Sequence, residues 1–370
     1  VDTEFWNDTT QCYNYGKLID GSYNPEPTVL PAPVEYFGWL SDEKVLPGLA
    51  RYASDAFTVD WGVRIVGSGS PLFNPTGYHY GSVWPLFTGW TALAEYEYGK
   101  SDQAFSHILG TMYIKNNWAL GFVQEVMNGA VYKPSGVCPH QCWSETNILH
   151  PGIHGMIGWN PRATEHAARL SPRFPISWDH VTVRNLRAGG SLLDLTMERS
   201  RHSVVYRFTL KKGTPLTVDF SPEFPPGTEL INAAVNGTPV KIPPGRKRQL
   251  IAEPVRFTLT RTAEVRFTCS GGVGVVPLRP RPAPGDSSGA TRIIGASLDG
   301  LFYTIDLEGK SGTSVPVQLM AFDQKIIAVK GGTLVGEAPG GRFELDVPFG
   351  PSPSGVARKQ VSVQFSEIAR

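Results

Sequence analysis

The sequence predicts a multidomain protein in which paired helices with long loops precede antiparallel β-sandwich modules. Three observations carry this. All nine tryptophans lie between Trp6 and Trp178, and the second half of the chain has none. Apolar residues recur at helical spacing before about residue 175 and alternate with polar ones from Ile176 onward. A Pro/Gly/Ser-rich stretch then interrupts the alternating half. The expected divisions are a helical part over 1–174, a β-sandwich over 175–279, a linker over 280–290 and a β-rich module over 291–370.

In the helical part, Ser41-Asp42 caps a helix running to about Ser54, with Leu46, Leu49, Ala50 and Ala53 on one face. Leu86, Trp90, Leu93, Ala94 and Tyr98 define a second helix, which Gly99 stops. Ser101-Asp102 opens a third, carrying Phe105, Ile108, Leu109, Met112 and Tyr113. Gln141–Met156 reads as a fourth, interrupted by Pro151-Gly152. Asn160-Pro161 has the form of an N-cap followed by proline at the first helical position, so a short helix is expected to about Leu170. In the alternating half, Val181/Val183/Leu186, Leu193/Leu195/Met197 and Val204/Tyr206/Phe208/Leu210 read as strands. Asn236-Gly237 reads as a hairpin turn. Strands are also expected at Val255–Leu259, Val265–Cys269, Leu301–Leu307, Val315–Ala321, Lys325–Val329, Arg342–Val347 and Gln360–Phe365.

The chain has 370 residues with 34 basic and 33 acidic side chains. This balance gives no electrostatic basis for nucleic acid or an anionic membrane as partner. No apolar run reaches membrane-spanning length. The first residues, Val-Asp-Thr-Glu-Phe-Trp, show neither a starting Met nor a signal pattern. A processed chain or a part of a longer secreted or periplasmic precursor is therefore expected. Four cysteines do not make a disulfide framework. Cys138, His140 and Cys142 lack the second ligand pair that zinc needs, and His150/His154 lack a metalloprotease pattern, so no metal and no cofactor is expected. Asn7-Asp8-Thr9 and Asn236-Gly237-Thr238 fit the glycosylation sequon.

Function is sought in the segment Thr58–Pro85. It collects Trp61, Arg64, Phe73, Tyr78, His79, Tyr80 and Trp84 in an irregular loop just before a helix. Rings and polar tips on such a loop suit a sugar cleft, whereas connecting loops are usually short. Glycoside hydrolysis needs two carboxyl groups. Asp8, Asp20, Asp60, Glu125 and Glu145 are the candidates near aromatic loops. Glu125 lies between apolar neighbours, where partial desolvation suits acid–base work. Asp60 and Arg64 have the chemistry to hold hydroxyls, and each also suits a turn or a salt bridge. Tyr78, His79 and Trp84 suit a stacking wall, and equally a packed core.

Four motifs in order resemble one family. They are Trp61-Gly62-x-Arg64, Tyr78-His79-Tyr80-Gly81-Ser82-Val83-Trp84-Pro85, Glu125-x-x-x-Gly129 and Cys138-x-x-Gln141-x-Trp143-Ser144. Together they resemble the bacterial amylo-α-1,6-glucosidase, or glycogen-debranching-like, proteins, related to glycoside hydrolase families 63 and 15. The resemblance covers roughly residues 1–190. It implies part of an (α/α)6 toroid and inverting hydrolysis of α-glucosidic bonds, including α-1,6, in an oligosaccharide. It implies Glu125 as general base, and Trp61, Arg64, Tyr78, His79, Trp84, Gln141 and Trp143 as residues shaping the sugar pocket. Asp60 adds a carboxylate for a sugar hydroxyl. Val83 stands where eukaryotic debranching enzymes carry Glu. The family's acid-bearing Asp motif lies upstream of the matched part, so the general acid is expected outside this chain. The alternatives are a non-catalytic carbohydrate-binding or structural protein and an α-rhamnosidase-like enzyme on the same architecture. Sequence leaves the oligomeric state open.

Overall fold

The computed structural model describes the whole chain except residues 137, 243–245, 252, 278–280 and 369–370, and the side chains of 246 and 247. Five α-helices occur among the described residues: α1 (Ala32–Tyr36), α2 (Asp42–Ala53), α3 (Pro85–Glu97), α4 (Ser101–Tyr113) and α5 (Cys142–His150). Acidic Asp42 and Glu43 occupy the first turn of α2, where they favour the helix dipole. Its buried Val45, Gly48, Leu49, Tyr52 and Ala53 follow helical spacing. Pro85 begins α3, where a missing N–H costs nothing. Helix α3 is apolar over most of its circumference and is central, touching α1, α2, α4 and α5. That arrangement does not by itself make a toroid. Gly99, at φ +71°, ends the α3 segment as predicted. The helix expected over 141–156 divides. After α5, Pro151 cannot extend the i→i−4 ladder, and Pro151–Met156 continues as a π-helical turn.

A buried polar chain lies inside this unit. Glu95 and His107 are 2.7 Å apart, and the other His107 nitrogen is 2.9 Å from the Thr58 hydroxyl. Nearby, Glu35 accepts a 3.4 Å hydrogen bond from the Tyr52 hydroxyl, and its second oxygen is buried with no partner among the described residues.

The helix expected at 160–170 is instead two strands, Trp159–Arg162 and Ala167–Leu170, turning at His166. The first is an edge strand, where Pro161 is tolerated because its absent N–H is not required there. The second pairs parallel with Leu216–Phe220, which pairs with Val255–Leu259. Facing this sheet is a six-stranded one containing His180–Ala188, Ser191–Arg199, Ser203–Lys212 and Thr262–Ser270. The predicted hairpin closes at Asn236-Gly237, both at positive φ, between Val235 and its partner Thr238. One core joins the two sheets, from Trp159 through Leu195, Tyr206, Phe220 and Phe267 to Cys269. The expected limit at 174/175 falls inside it.

Gly271-Gly272, both at positive φ, pass the chain to a second sandwich. Its core starts at Val273 and includes Tyr303, Ile305, Leu319, Leu345 and Val363, so the expected limit at 279/280 also falls inside a core. All the expected strands here form. Val273–Val276, Arg292–Asp299 and Thr333–Ala338 are additional.

Pro280 of the expected linker lies outside the described residues. Residues 281–290 do not hang free: they form a strap across the helical unit. Tyr132 N–H donates to the Asp286 carbonyl at 2.7 Å, and Gly285 N–H donates to the Tyr132 carbonyl at 3.0 Å. Cys12, Cys138 and Cys142 are free thiols. Among the described residues no helix is long and apolar enough to cross a membrane.

Candidate functional site

Two long loops, one before α3 and one before α5, meet along their backbones. Val83 and Met127 exchange N–H···O bonds of 2.8 and 2.9 Å, and Gly129 N–H reaches the Pro75 carbonyl at 2.9 Å. Both glycines in this seam are required by close approach. A Cβ on Gly129 would lie 2.0 Å from the Gly81 carbonyl oxygen, and Gly81 is at φ +152°. The seam brings Glu125 beside Tyr78, 47 residues away in sequence.

Glu125 is 5% exposed. Its N–H is tied to the Cys138 carbonyl at 3.0 Å. One carboxylate oxygen, Oε1, accepts a 2.7 Å hydrogen bond from the Tyr78 hydroxyl. Among the described residues the other oxygen has no hydrogen-bond partner, which leaves a lone pair for water or a sugar hydroxyl. Desolvation, and then the Glu125 hydrogen bond, push the Tyr78 phenol up to about 12. Tyr78 therefore stays a donor at any ordinary pH.

The rings around this carboxylate form one cluster. Tyr78 and Trp84 meet edge-on at 4.5 Å, His79 stacks on Trp84 at 5.4 Å, and Trp143 follows at 6.4 Å. Trp84 is buried, and its indole N–H donates to the Tyr78 carbonyl, so it backs the wall. Tyr78, His79 and Trp143 present the exposed face. Gln141 contributes through its backbone: its N–H donates to the Val123 carbonyl, and its carbonyl accepts from Ser144 and Glu145 at the start of α5.

Three expected pocket residues sit elsewhere. Trp61 is fully buried against Tyr132, and its indole N–H donates to the Asn128 carbonyl at 2.8 Å. It has no surface to offer a ligand. Arg64 is spent on carbonyls, donating to Gly129 at 2.6 Å and also to Asp55 and Ala56. Burial lowers its pKa to about 10, still well above neutral pH. Asp60 is buried and faces the strap. It accepts from the Ser288 hydroxyl at 2.8 Å, Gly289 N–H at 2.9 Å and Ala290 N–H at 3.2 Å. A carboxylate so occupied cannot also bind a sugar hydroxyl. The three residues hold the loops that present Glu125, and the reason is burial, which sequence alone does not reveal. Asn128 escaped the sequence reading. Its side-chain oxygen accepts from Ala130 and Val131 N–H and shapes the turn after Glu125. The Asn-Gly pair at 128–129 was the available signal. Of the described residues, no group of three or more His, Cys, Asp or Glu is placed to hold a metal.

No protein-family model matches the sequence, and a search of curated proteins finds no match. Among solved structures, the chain is similar to a GH63 mannosylglycerate hydrolase from Thermus thermophilus in complex with glucose. The identity is 20% over 40% of this chain and 36% of that one, with a TM-score of 0.33. A GH127 β-L-arabinofuranosidase from Geobacillus stearothermophilus is 10% identical over 90% of this chain and 56% of that one, TM-score 0.34. An α-L-rhamnosidase from Dictyoglomus thermophilum is 10% identical over 49% of this chain and 20% of that one, TM-score 0.35. These three are glycoside hydrolases. The match spans about a third of the length of the GH63 enzyme.

Proposed function

We propose that this chain carries the base-bearing wall of an inverting glycoside hydrolase of the glycogen-debranching-like kind, acting on α-glucosidic bonds in an oligosaccharide. The observation that supports it is Glu125: a nearly buried carboxylate with one oxygen held by Tyr78 and the other unclaimed by the described residues, beside exposed Tyr78, His79 and Trp143. A base that activates water needs this division between a fixed oxygen and a free one. The rings offer apolar faces to a sugar. The ordered motifs of the sequence point the same way and imply a general acid outside this chain. In the longer protein so expected, Glu125→Gln should lower turnover of an α-linked disaccharide by about 10³-fold or more while sparing binding. Unchanged turnover would sink the assignment of the base.

A second reading is a non-catalytic carbohydrate-binding protein. One observation favours it: Asp60, the carboxylate expected to join Glu125 at the sugar, is consumed by the strap. The two readings part on the same panel of α-linked disaccharides, since a binding protein holds them without cleavage.

A further inference from the structure

The strap of the C-terminal sandwich touches both site loops, and we propose that it is a positioning device for Glu125, with Asp60 as its latch. The proposal rests on the reading of Glu125 as the working residue. It assigns a task to the C-terminal sandwich, whose sequence carries no evident catalytic constellation and leaves open a brace for the helical part or a sugar-binding module.

The contacts close a circuit. Asp60 holds Ser288, Gly289 and Ala290 through its carboxylate, and its own N–H donates to the Ser288 hydroxyl at 3.1 Å. Next along the chain, the Trp61 indole holds the Asn128 carbonyl. The Asn128 side chain fixes Ala130 and Val131. Val131 bridges to Ser287, and Tyr132 exchanges backbone bonds with Gly285 and Asp286. The path thus returns to the strap after passing within three residues of Glu125. Arg292, 3% exposed, locks the strap's end. It donates to the Thr58 carbonyl at 3.0 Å and the Ser288 hydroxyl at 2.6 Å, and pairs with Asp55 at 3.0 Å. These are charge-assisted bonds on a buried Asp60 and a buried Arg292, where they are costly to leave unmade. If the strap detached, a buried Asp60 would lose three donors, and the loops carrying Tyr78 and Glu125 would lose their shared partner. A separate contact between the modules reaches the circuit only through the Asp55 backbone: Asp55 N–H donates to Glu308, which pairs with Arg358, and Glu308→Gln keeps an acceptor for that N–H.

The test uses the full chain as wild type, Asp60→Asn and Glu308→Gln. Hydrogen exchange is read by peptide, and the Tyr78 phenol is titrated by carbon-13 NMR of labelled tyrosine. Asp60→Asn should speed exchange about tenfold or more at both 285–292 and 125–132. It should also bring the Tyr78 titration down from about 12, because the parting loops admit water to the phenol and Glu125 drifts off the hydroxyl. Glu308→Gln should leave both readouts at wild type. Loosening confined to the strap would leave the phenol's surroundings, and so its titration, unchanged. Should Asp60→Asn fail to fold, Ser288→Ala removes one donor and keeps the Gly289 and Ala290 N–H groups, and should give the same pattern at smaller size. The proposal is overturned if the strap peptide opens while 125–132 and Tyr78 stay as in wild type. Maltose binding, followed on the same samples, separates the two claims. A chain with an intact strap that ignores α-glucosides refutes the function and leaves the coupling standing.

Discussion

Glu35 makes the stability of the helical unit depend on pH in a way one substitution should erase. Its carboxyl is 1% exposed, Tyr52 reaches one oxygen at 3.4 Å, and the other has no partner among the described residues. Burial, reinforced by the nearby Glu95 and opposed by the Tyr52 hydrogen bond, raises its pKa from 4.5 to about 8. The folded state therefore favours the protonated acid, while the unfolded chain releases the proton near 4.5. The stabilisation is fully present below pH 4.5, falls as pH rises, and is gone above about 8. At ~1.4 kcal/mol for each pH unit, the loss across that window is about 5 kcal/mol as an order of magnitude. Glu35→Gln keeps the shape and removes the titration. Urea unfolding followed by tryptophan fluorescence is suited to this, since the tryptophans cluster in the first half of the chain. Wild type should lose about 1 kcal/mol or more per pH unit between about pH 5.5 and 7.5 relative to the variant. Parallel curves for the two proteins over that range would refute the argument and mean that Glu35 is ionised in the folded chain.

Other outcomes follow from the site. Gly129→Ala should destabilise by about 1–3 kcal/mol in urea unfolding, because its Cβ would meet the Gly81 carbonyl at 2.0 Å and part the two loops. Trp61→Phe should cost about 2 kcal/mol in the same assay, since the Asn128 carbonyl loses its donor in a site closed to water. Trp143→Ala should weaken maltose binding about tenfold with little change in stability, as its ring is 42% exposed and lies at the end of the cluster. An unaltered affinity would remove Trp143 from the sugar wall.

Helices α2, α3 and α4 were legible because the spacing of their buried residues is local, helped by acidic first turns in α2 and α4 and by Pro85 at the start of α3; the side-chain caps expected of Ser41 and Ser101 do not form, Ser101 being already helical after Lys100. The strands of the first sandwich were legible by strict alternation, as in Ser191–Arg199. Where the sequence misled, a partner from far along the chain decided. Asn160-Pro161 carries a helix signal, yet Ala167–Leu170 finds Leu216–Phe220 and becomes a strand. Thr333–Ala338 went unseen because it is an exposed edge strand with little buried face to impose a pattern.

The sequence by itself determined the change from helical to alternating architecture and the aromatic segment Thr58–Pro85, and it offered Glu125 as one candidate among several carboxylates, because periodicity and residue chemistry are local properties. Tertiary structure alone decided how the candidate residues divide. Trp61, Arg64 and Asp60 carry the same chemical groups as pocket residues, but their partners Asn128, Gly129 and Ser288 lie 65 to 228 residues away. Only when those partners are in place does burial turn these candidate contacts into the frame, leaving Tyr78, His79 and Trp143 exposed around the nearly buried Glu125.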